Sequence, residues 1–329
     1  MKKLFLVVFL IIVFIFIGDF FYSRTVRPSE NFKIGVSFSP DMAKSLGLDW
    51  KSVYLDILDN LKVKNLRLTS YWNTIQPQNN QSNFSDLDYQ INEAGKKGAE
   101  ILLVLGTKQP GWPECHTPDW AKSLTISQRQ QKSLEFIKEV VEKYKTNSSI
   151  KMWQMENEPL FPYGADCDSP DEDFLKQEIA LVKKIDPIRQ IVVSDSGELS
   201  LWIGAMSASD IFGTTMYRTV QNPILGNFTY PFSPYFYTLR SNLIRNLFAK
   251  QNQKTIITEL QAEPWFSQTL TQIPIVTQAK TFSVQNLKEN VQYAKKTGFD
   301  SAYLWGVEWW YFMDKNGYSV YLKEAKNLF

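Results

Sequence analysis

Eight short apolar runs recur along the chain from residue 32 to its end, each followed by a stretch with apolar positions at helical spacing. The strand-like runs are Phe32–Phe38, Asn65–Ser70, Glu100–Gly106, Ile150–Glu156, Gln190–Asp195, Asp210–Tyr217, Lys254–Leu260 and Asp300–Trp305. The helical stretches between them carry recognisable start and stop signals. Ser85 reads as the N-cap of a helix over Asp86–Lys97 that Gly98 closes. Ser169-Pro170-Asp171-Glu172 reads as a capping box with proline at the first helical position, opening a helix that ends near Ile185. Gly298 closes the helix containing Leu287–Lys296.

Eight strand–helix alternations in about 300 residues predict a single-domain α/β fold, the (β/α)8 TIM barrel, over residues 32–329. A doubly wound open sheet is the alternative, but no Gly-x-Gly-x-x-Gly follows the first strand. The connections after strands three, four, six and seven are long (Thr107–Thr125, Leu160–Asp168, Arg218–Pro234 and Gln261–Phe282), while those after helices are mostly short. Loops elaborated on one face are what a barrel enzyme builds around its site.

Ahead of the barrel, Lys2 and Lys3 precede an uncharged apolar run from Leu4 to Ile17. Residues 1–24 are expected to be a signal peptide or a transmembrane anchor, and 25–31 a tether. No small-x-small cleavage site follows the run, which favours the anchor. Either way the barrel is expected outside the cytoplasm, touching a membrane only through this segment. Cys115 and Cys167 then become readable. Both fall in loops after neighbouring strands, and a loop-to-loop disulfide is the expectation, two free thiols the alternative.

The charge balance of 36 basic against 34 acidic residues offers no electrostatic case for nucleic acid. A single histidine, His116, disfavours multi-histidine zinc sites and a Ser-His-Asp triad; it reads as a solvated loop residue. Neither metal nor organic cofactor is implied, and oligomeric state is unreadable. Carboxylate chemistry loses nothing from this shortage. In Met155-Glu156-Asn157-Glu158-Pro159 the proline, lacking an N–H, must end the fourth strand, which puts Glu158 at its carboxyl end. Glu259 ends the seventh strand, and in a closed barrel those two ends face one another across the mouth. Retaining glycoside hydrolysis needs such a pair, one carboxyl as general acid/base and the other as nucleophile. Arg67, at the end of strand two, is placed to keep a nucleophile ionised, and Tyr217, after strand six, to donate to it. Glu156 reads as a supporting carboxylate, Glu263 is the nearest substitute for Glu259, and Asp195 is expected to be an N-cap or a loop anchor.

These residues resemble those of the retaining glycoside hydrolases of clan A, the 4/7 superfamily with its cellulase-like members. The matching positions are Arg67 on strand two, Asn157-Glu158-Pro159 on strand four, Tyr217 on strand six, Glu259 on strand seven and Trp305 on strand eight. The resemblance implies a β-glycosidase acting by double displacement on an oligo- or polysaccharide. It makes Glu158 the acid/base and Glu259 the nucleophile. Asn157 would bind the sugar 2-hydroxyl, Arg67 and Tyr217 would orient Glu259, and Trp305 would floor the subsite. The family's additional histidines are missing here, which leaves the substrate open. Of Trp72, Trp112, Trp120, Trp265, Trp309 and Trp310, all at or beyond strand ends, Trp72 and Trp265 are the expected sugar platforms. A transglycosylase would share both carboxylates. A non-catalytic carbohydrate-binding barrel would have no need of the pair, and a phosphate-handling isomerase would need a Gly-rich loop that this chain lacks.

Overall fold

The computed structural model of the protein describes residues 26–29, 31–222 and 226–329. The expected signal or anchor over residues 1–24 lies outside them, as does part of the tether. Among the described residues no helix is long and apolar enough to cross a membrane.

The barrel strands are β1 (Lys33–Phe38), β2 (Asn65–Thr69), β3 (Glu100–Leu105), β4 (Ile150–Met155), β5 (Gln190–Asp195), β6 (Ile211–Met216), β9 (Lys254–Gln261) and β10 (Ser301–Trp305). They close in the order β1-β10-β9-β6-β5-β4-β3-β2 with every pair parallel. This is the expected eight-stranded barrel. The loop after β6 holds an antiparallel hairpin that the apolar pattern did not announce, β7 (Thr219–Asn222) paired with β8 (Gly226–Thr229). Its residues are largely polar and exposed, so no buried run marked it.

Two of the expected caps move. Ser85 is the first helical residue of Ser85–Lys96, and it is Asn83 Oδ1 that accepts its N–H at 3.0 Å. Ser169 and Pro170 lie ahead of the helix Glu172–Ile185, whose cap is Asp171, accepting from the Phe174 N–H at 2.9 Å. At the second helix an aspartate does the capping that a serine was expected to do, the preferences being nearly equal, whereas at the first the N-cap position is Phe84, which makes no side-chain capping bond.

Inside the barrel the residues are sorted by height. Leu102, Val192, Ile211, Ile256 and Tyr303 form a small cluster of their own, with Met152 against it. Two residues further along the same strands, on the same face, stand Gln154, Ser194 and Trp305. The barrel floor is therefore apolar and its mouth polar. The larger apolar core lies between the strands and the surrounding helices.

Candidate active site

Arg67, only 1% exposed on β2, organises the mouth of the barrel. Its Nε donates to Gln154 Oε1, its Nη1 to Glu259 Oε1 and its Nη2 to Asn157 Oδ1, each at 2.8 Å. A planar guanidinium offers these donors in a fixed fork, so it sets the carboxylate of β9 and the amide that follows β4 relative to one another. Gln154 passes the order on. Its Nε2 donates to Ser194 Oγ at 3.2 Å and to the Glu156 carbonyl at 2.8 Å. Ser194 Oγ donates to Asn157 Oδ1 at 3.2 Å and accepts the Glu158 N–H at 3.0 Å.

Glu259 receives a second donor, Tyr217 Oη, on Oε2 at 2.9 Å. Arg67 and Tyr217 thus occupy both of its oxygens. Glu158 is held differently. Its Oε1 accepts from Thr215 Oγ1 at 2.9 Å, and Thr215 is the residue beside Glu259 in the β6–β9 register. Burial pushes the Glu158 carboxyl well above the usual range, and the negative charges of Glu259 and Glu114 add to the shift. One carboxyl has an ionic partner and the other does not, the kind of asymmetry that acid–base chemistry can use.

Glu156 and Glu158 both adopt left-handed backbone angles, φ of 55° and 48°, which side chains other than glycine rarely take. The surroundings over-determine them. Glu156 accepts from the Thr107 N–H at 2.8 Å and from the Lys108 N–H. Gly106 makes room for this, since a Cβ there would fall 2.2 Å from Glu156 Oε1. Lys108 Nζ donates to the Glu158 carbonyl at 2.9 Å and to that of Phe161 at 2.6 Å, closing the turn after β4. Glu156 and its buried neighbour Glu178 are both displaced upward by burial, Glu156 to about 7.

A third carboxyl joins the site that the strand-end pattern did not single out. Glu114, in the loop after β3, accepts from Asn157 Nδ2 on Oε2 at 3.2 Å. Burial raises it to about 8, with the Glu259 charge contributing. Its one signal in the sequence is an acidic residue set between Trp112-Pro113 and Cys115 in a long loop. Cys115 and Cys167 form a disulfide, S–S 2.02 Å, that ties this loop to the one after β4.

The remaining expected positions divide. Trp305 ends β10 half-buried, and its ring lies 3.6 Å from where a Cβ of Gly111 would stand. Trp265 is half-buried in the loop after β9. Trp72 is not in the cleft. It is fully buried, stacked on Phe136 and edge-on to Trp120, with its indole N–H given to Gln76 Oε1 at 3.0 Å. The short helix Trp72–Ile75 turns it inward, where an indole finds more apolar contact than at the rim. His116 is corrected as well. It is 4% exposed, stacked on Tyr71 at 3.7 Å, and burial lowers it to about 4. Trp309 and Trp310 are buried too, whereas Trp112 is 69% exposed. Asp195 does anchor its loop, accepting the Ser196 N–H at 2.9 Å. Glu263 is buried with Oε2 unpartnered and makes no bond to Arg67. Among the described residues no cluster of side chains could hold a metal ion.

Comparison with known proteins points the same way. A family described as β-galactosidase, Glyco_hydro_42, matches residues 49–188, a span that includes Glu158 and stops short of Glu259. No curated protein matches. Among solved structures, the β-galactosidase of the psychrophilic Marinomonas ef1 superposes with a TM-score of 0.57 at 13% identity, over 83% of this chain and 54% of that one. The GH5_18 protein of Bifidobacterium longum subsp. longum gives 0.61 at 12% identity, over 84% and 70%. That of Streptomyces cattleya, solved in complex with GlcNAc, gives 0.57 at 11% identity, over 85% and 71%. The chain thus spans about half the length of the β-galactosidase it matches. The neighbours and the closed parallel barrel agree on the (β/α)8 fold, and the family match likens residues 49–188 to glycoside hydrolases.

Proposed function

We propose that this protein is a retaining β-glycosidase in which Glu158 is the acid/base and Glu259 the nucleophile. The observation that carries the reading is the asymmetry of the two carboxyls. Glu259 accepts from the Arg67 guanidinium and the Tyr217 phenol, whereas Glu158 is buried against a neutral hydroxyl and displaced towards its protonated form. In the first step Glu158 gives its proton to the departing glycosidic oxygen while a Glu259 oxygen attacks the anomeric carbon. Tyr217 Oη and Arg67 keep that carboxylate oriented until the bond forms. In the second step Glu158, now ionised, takes a proton from the water that displaces Glu259, and both carboxyls return to their starting states.

Asn157 is the group for a sugar hydroxyl next to the reacting carbon. Its Oδ1 is committed to Arg67 and Ser194, and Nδ2 keeps one hydrogen beyond the one given to Glu114. Trp305 supplies the apolar wall under the ring. The substrate class is a β-linked oligo- or polysaccharide, in keeping with neighbours named for β-galactosidase activity and, for a variant of the Bifidobacterium protein, for a complex with Manβ1-4GlcNAc. The proposal also places the barrel outside the cytoplasm, since a disulfide persists in an oxidising compartment.

The test uses aryl β-galactosides, β-glucosides and β-mannosides with activated leaving groups. Glu259→Ala is expected to abolish turnover, and Glu158→Ala with added azide to release the β-glycosyl azide. An α-glycosyl azide, or wild-type turnover surviving both substitutions, would sink the assignment.

A further inference from the structure

The helix Pro234–Phe248 turns one side to the barrel and leaves the other bare. Tyr237, Ser241 and Ile244 are buried, whereas Leu239, Leu243 and Leu247 recur at every fourth position and are 46% to 64% exposed. Residues four apart stand one above another on a helix, so the three leucines make a single apolar stripe along its outer side, continued by Phe248. Single exposed leucines are ordinary, but a row of them is apolar surface of the kind that marks an interaction site. The surrounding charge has a sign. From Ile211 to Thr258 the sequence contains no aspartate or glutamate. Beyond the helix, Lys250 and Lys254 are exposed. They meet Asp210 and Asp300 at 3.0 and 3.2 Å, in surface ion pairs of the weak kind that let an ammonium turn to another anion.

The start of the described chain lies beside the same helix. A Cβ on Gly298 would fall 2.9 Å from the Arg27 carbonyl oxygen and 3.1 Å from Val26 Cγ1, so residues 26 and 27 pass against this glycine. The carbonyl of Thr297, next to it in the chain, accepts from Thr238 Oγ1 at 2.5 Å, and Thr238 adjoins Leu239. Arg27 and Lys296 stand exposed at this junction. Upstream, the uncharged apolar run Leu4–Ile17 is separated from Val26 by eight residues. Such a stretch reaches at most about 30 Å. A barrel anchored through the run is therefore held close to the lipid, with the leucine stripe near the point of attachment.

We propose that the leucine side of Pro234–Phe248 rests on the anionic lipid surface that anchors the chain, a second membrane contact besides the N-terminal segment. Leu243, Leu247 and Phe248 enter the headgroup layer, and Arg27, Lys250, Lys254 and Lys296 face lipid phosphates. The inference goes beyond the glycosidase reading and rests on the expected anchor. An amphipathic helix binds a bilayer in this way, through the apolar area it buries and its attraction to anionic headgroups. Neither contribution has to be strong here, because the anchor already holds the helix at high local concentration next to the lipid.

The experiment reconstitutes the full chain in vesicles of phosphatidylcholine mixed with phosphatidylglycerol and carrying a headgroup-level nitroxide lipid. A fluorophore is attached at Asn246→Cys, an exposed position between Leu243 and Leu247, or at Lys138→Cys, exposed on the helix Ile126–Tyr144 three strands round the barrel. Nitroxide quenching at residue 246 is expected to exceed that at residue 138 about 5-fold or more, since a docked helix lies about 5–10 Å into the headgroup boundary. The excess should shrink at high salt and in phosphatidylcholine alone, where the attraction is screened or absent. Adding Leu243→Glu and Leu247→Glu should remove it. Equal quenching at the two positions overturns the docking, as does an excess that survives the two glutamates. Crosslinking of Asn246→Cys chains to one another would give the face to a second copy, and a fluorophore shielded from aqueous iodide without nitroxide quenching would give it to the chain's own N-terminal run; either overturns the lipid contact. A full chain that stays in the supernatant when the vesicles are sedimented overturns the anchor and the docking with it, and leaves the glycosidase reading to its own test.

Discussion

The carboxyl ends of β4 and β9 carry the same side chain in two different settings. At β9, Glu259 meets a buried guanidinium and a phenol. At β4, Glu158 is lifted by burial, accepts one neutral hydroxyl, and stands on a backbone clasped by Lys108 and Ser194. What a glutamate can do depends on what surrounds it, and here one network reaches both ends because Arg67 bonds Glu259 and Asn157 with two nitrogens of one plane. The contrast extends to the loops. The β3 and β4 loops on the Glu158 side are joined by a disulfide, while the β6 loop near Tyr217 rises into a hairpin of exposed, mostly polar residues.

The comparison breaks most completely at Glu259. Glu259→Ala is expected to lower kcat by at least about 10^4-fold, the scale on which nucleophile removal is felt. Activity retained within 10-fold would mean the two ends are not differentiated as described. Arg67→Met comes next. It leaves Glu259 buried without its cation, and breaking a buried pair in this way costs about 3–5 kcal/mol. Thermal unfolding should therefore drop together with kcat, and a variant as stable as wild type would mean that the pair is not what holds the mouth.

Removing the crosslink probes the other side. Cys115→Ser with Cys167→Ser opens a link between residues 52 apart, a loss of about 4 kcal/mol on the chain-entropy account. Chemical denaturation should show a lowered midpoint, and an unchanged midpoint would mean the loops are held without it.

Two pH effects sharpen the comparison. Glu158 must hold its proton to act as an acid, and its carboxyl is raised, so kcat/KM should fall as pH climbs through that raised value. Glu158→Gln, measured on a substrate whose leaving group needs no proton, should lose that limb. A limb that persists there belongs to another group. The smallest effect is on stability. Glu156 and Glu308 are raised by burial to about 7, and Glu178 well above its ordinary value. The native state then holds protons that the unfolded chain releases above about pH 4.5, so stability should decline as pH rises from there through about 7. Glu178→Gln, which cannot ionise, should flatten the decline of Tm between pH 4.5 and 8. A Tm that rises over this interval would contradict the burial of these carboxyls.

Much of this site was legible before the fold was known. Glu158 could be placed because Pro159 must end a strand, and Glu259 because it falls near the end of an apolar run, although β9 continues two residues beyond it to Gln261. Tyr217 followed from the end of β6, whereas Arg67, expected at a strand end, stands in the middle of β2 and reaches the mouth by the length of its side chain. Glu114 was not legible, since nothing local separates it from the other acidic loop residues. Its membership is made by Asn157, 43 residues away. Trp72 was misplaced for the reverse reason. A tryptophan just past a strand end turns into the core or out to the rim according to which face of the next short helix packs, and here Phe136 and Trp120 took it. Trp112 sits past a strand end in the same way and went outward.

The sequence by itself determined the barrel, roughly where its strands stop and the two carboxylates that stand near those stops. These depend on local facts: the length of an apolar run, the period of a helix, a proline without an N–H. Which loop side chains entered the cleft, how the surroundings of the two glutamates came to differ, and which tryptophans faced water were decided only when distant segments met. Burial and charge act over a few ångströms of space, and that proximity has no signature in the order of residues along the chain.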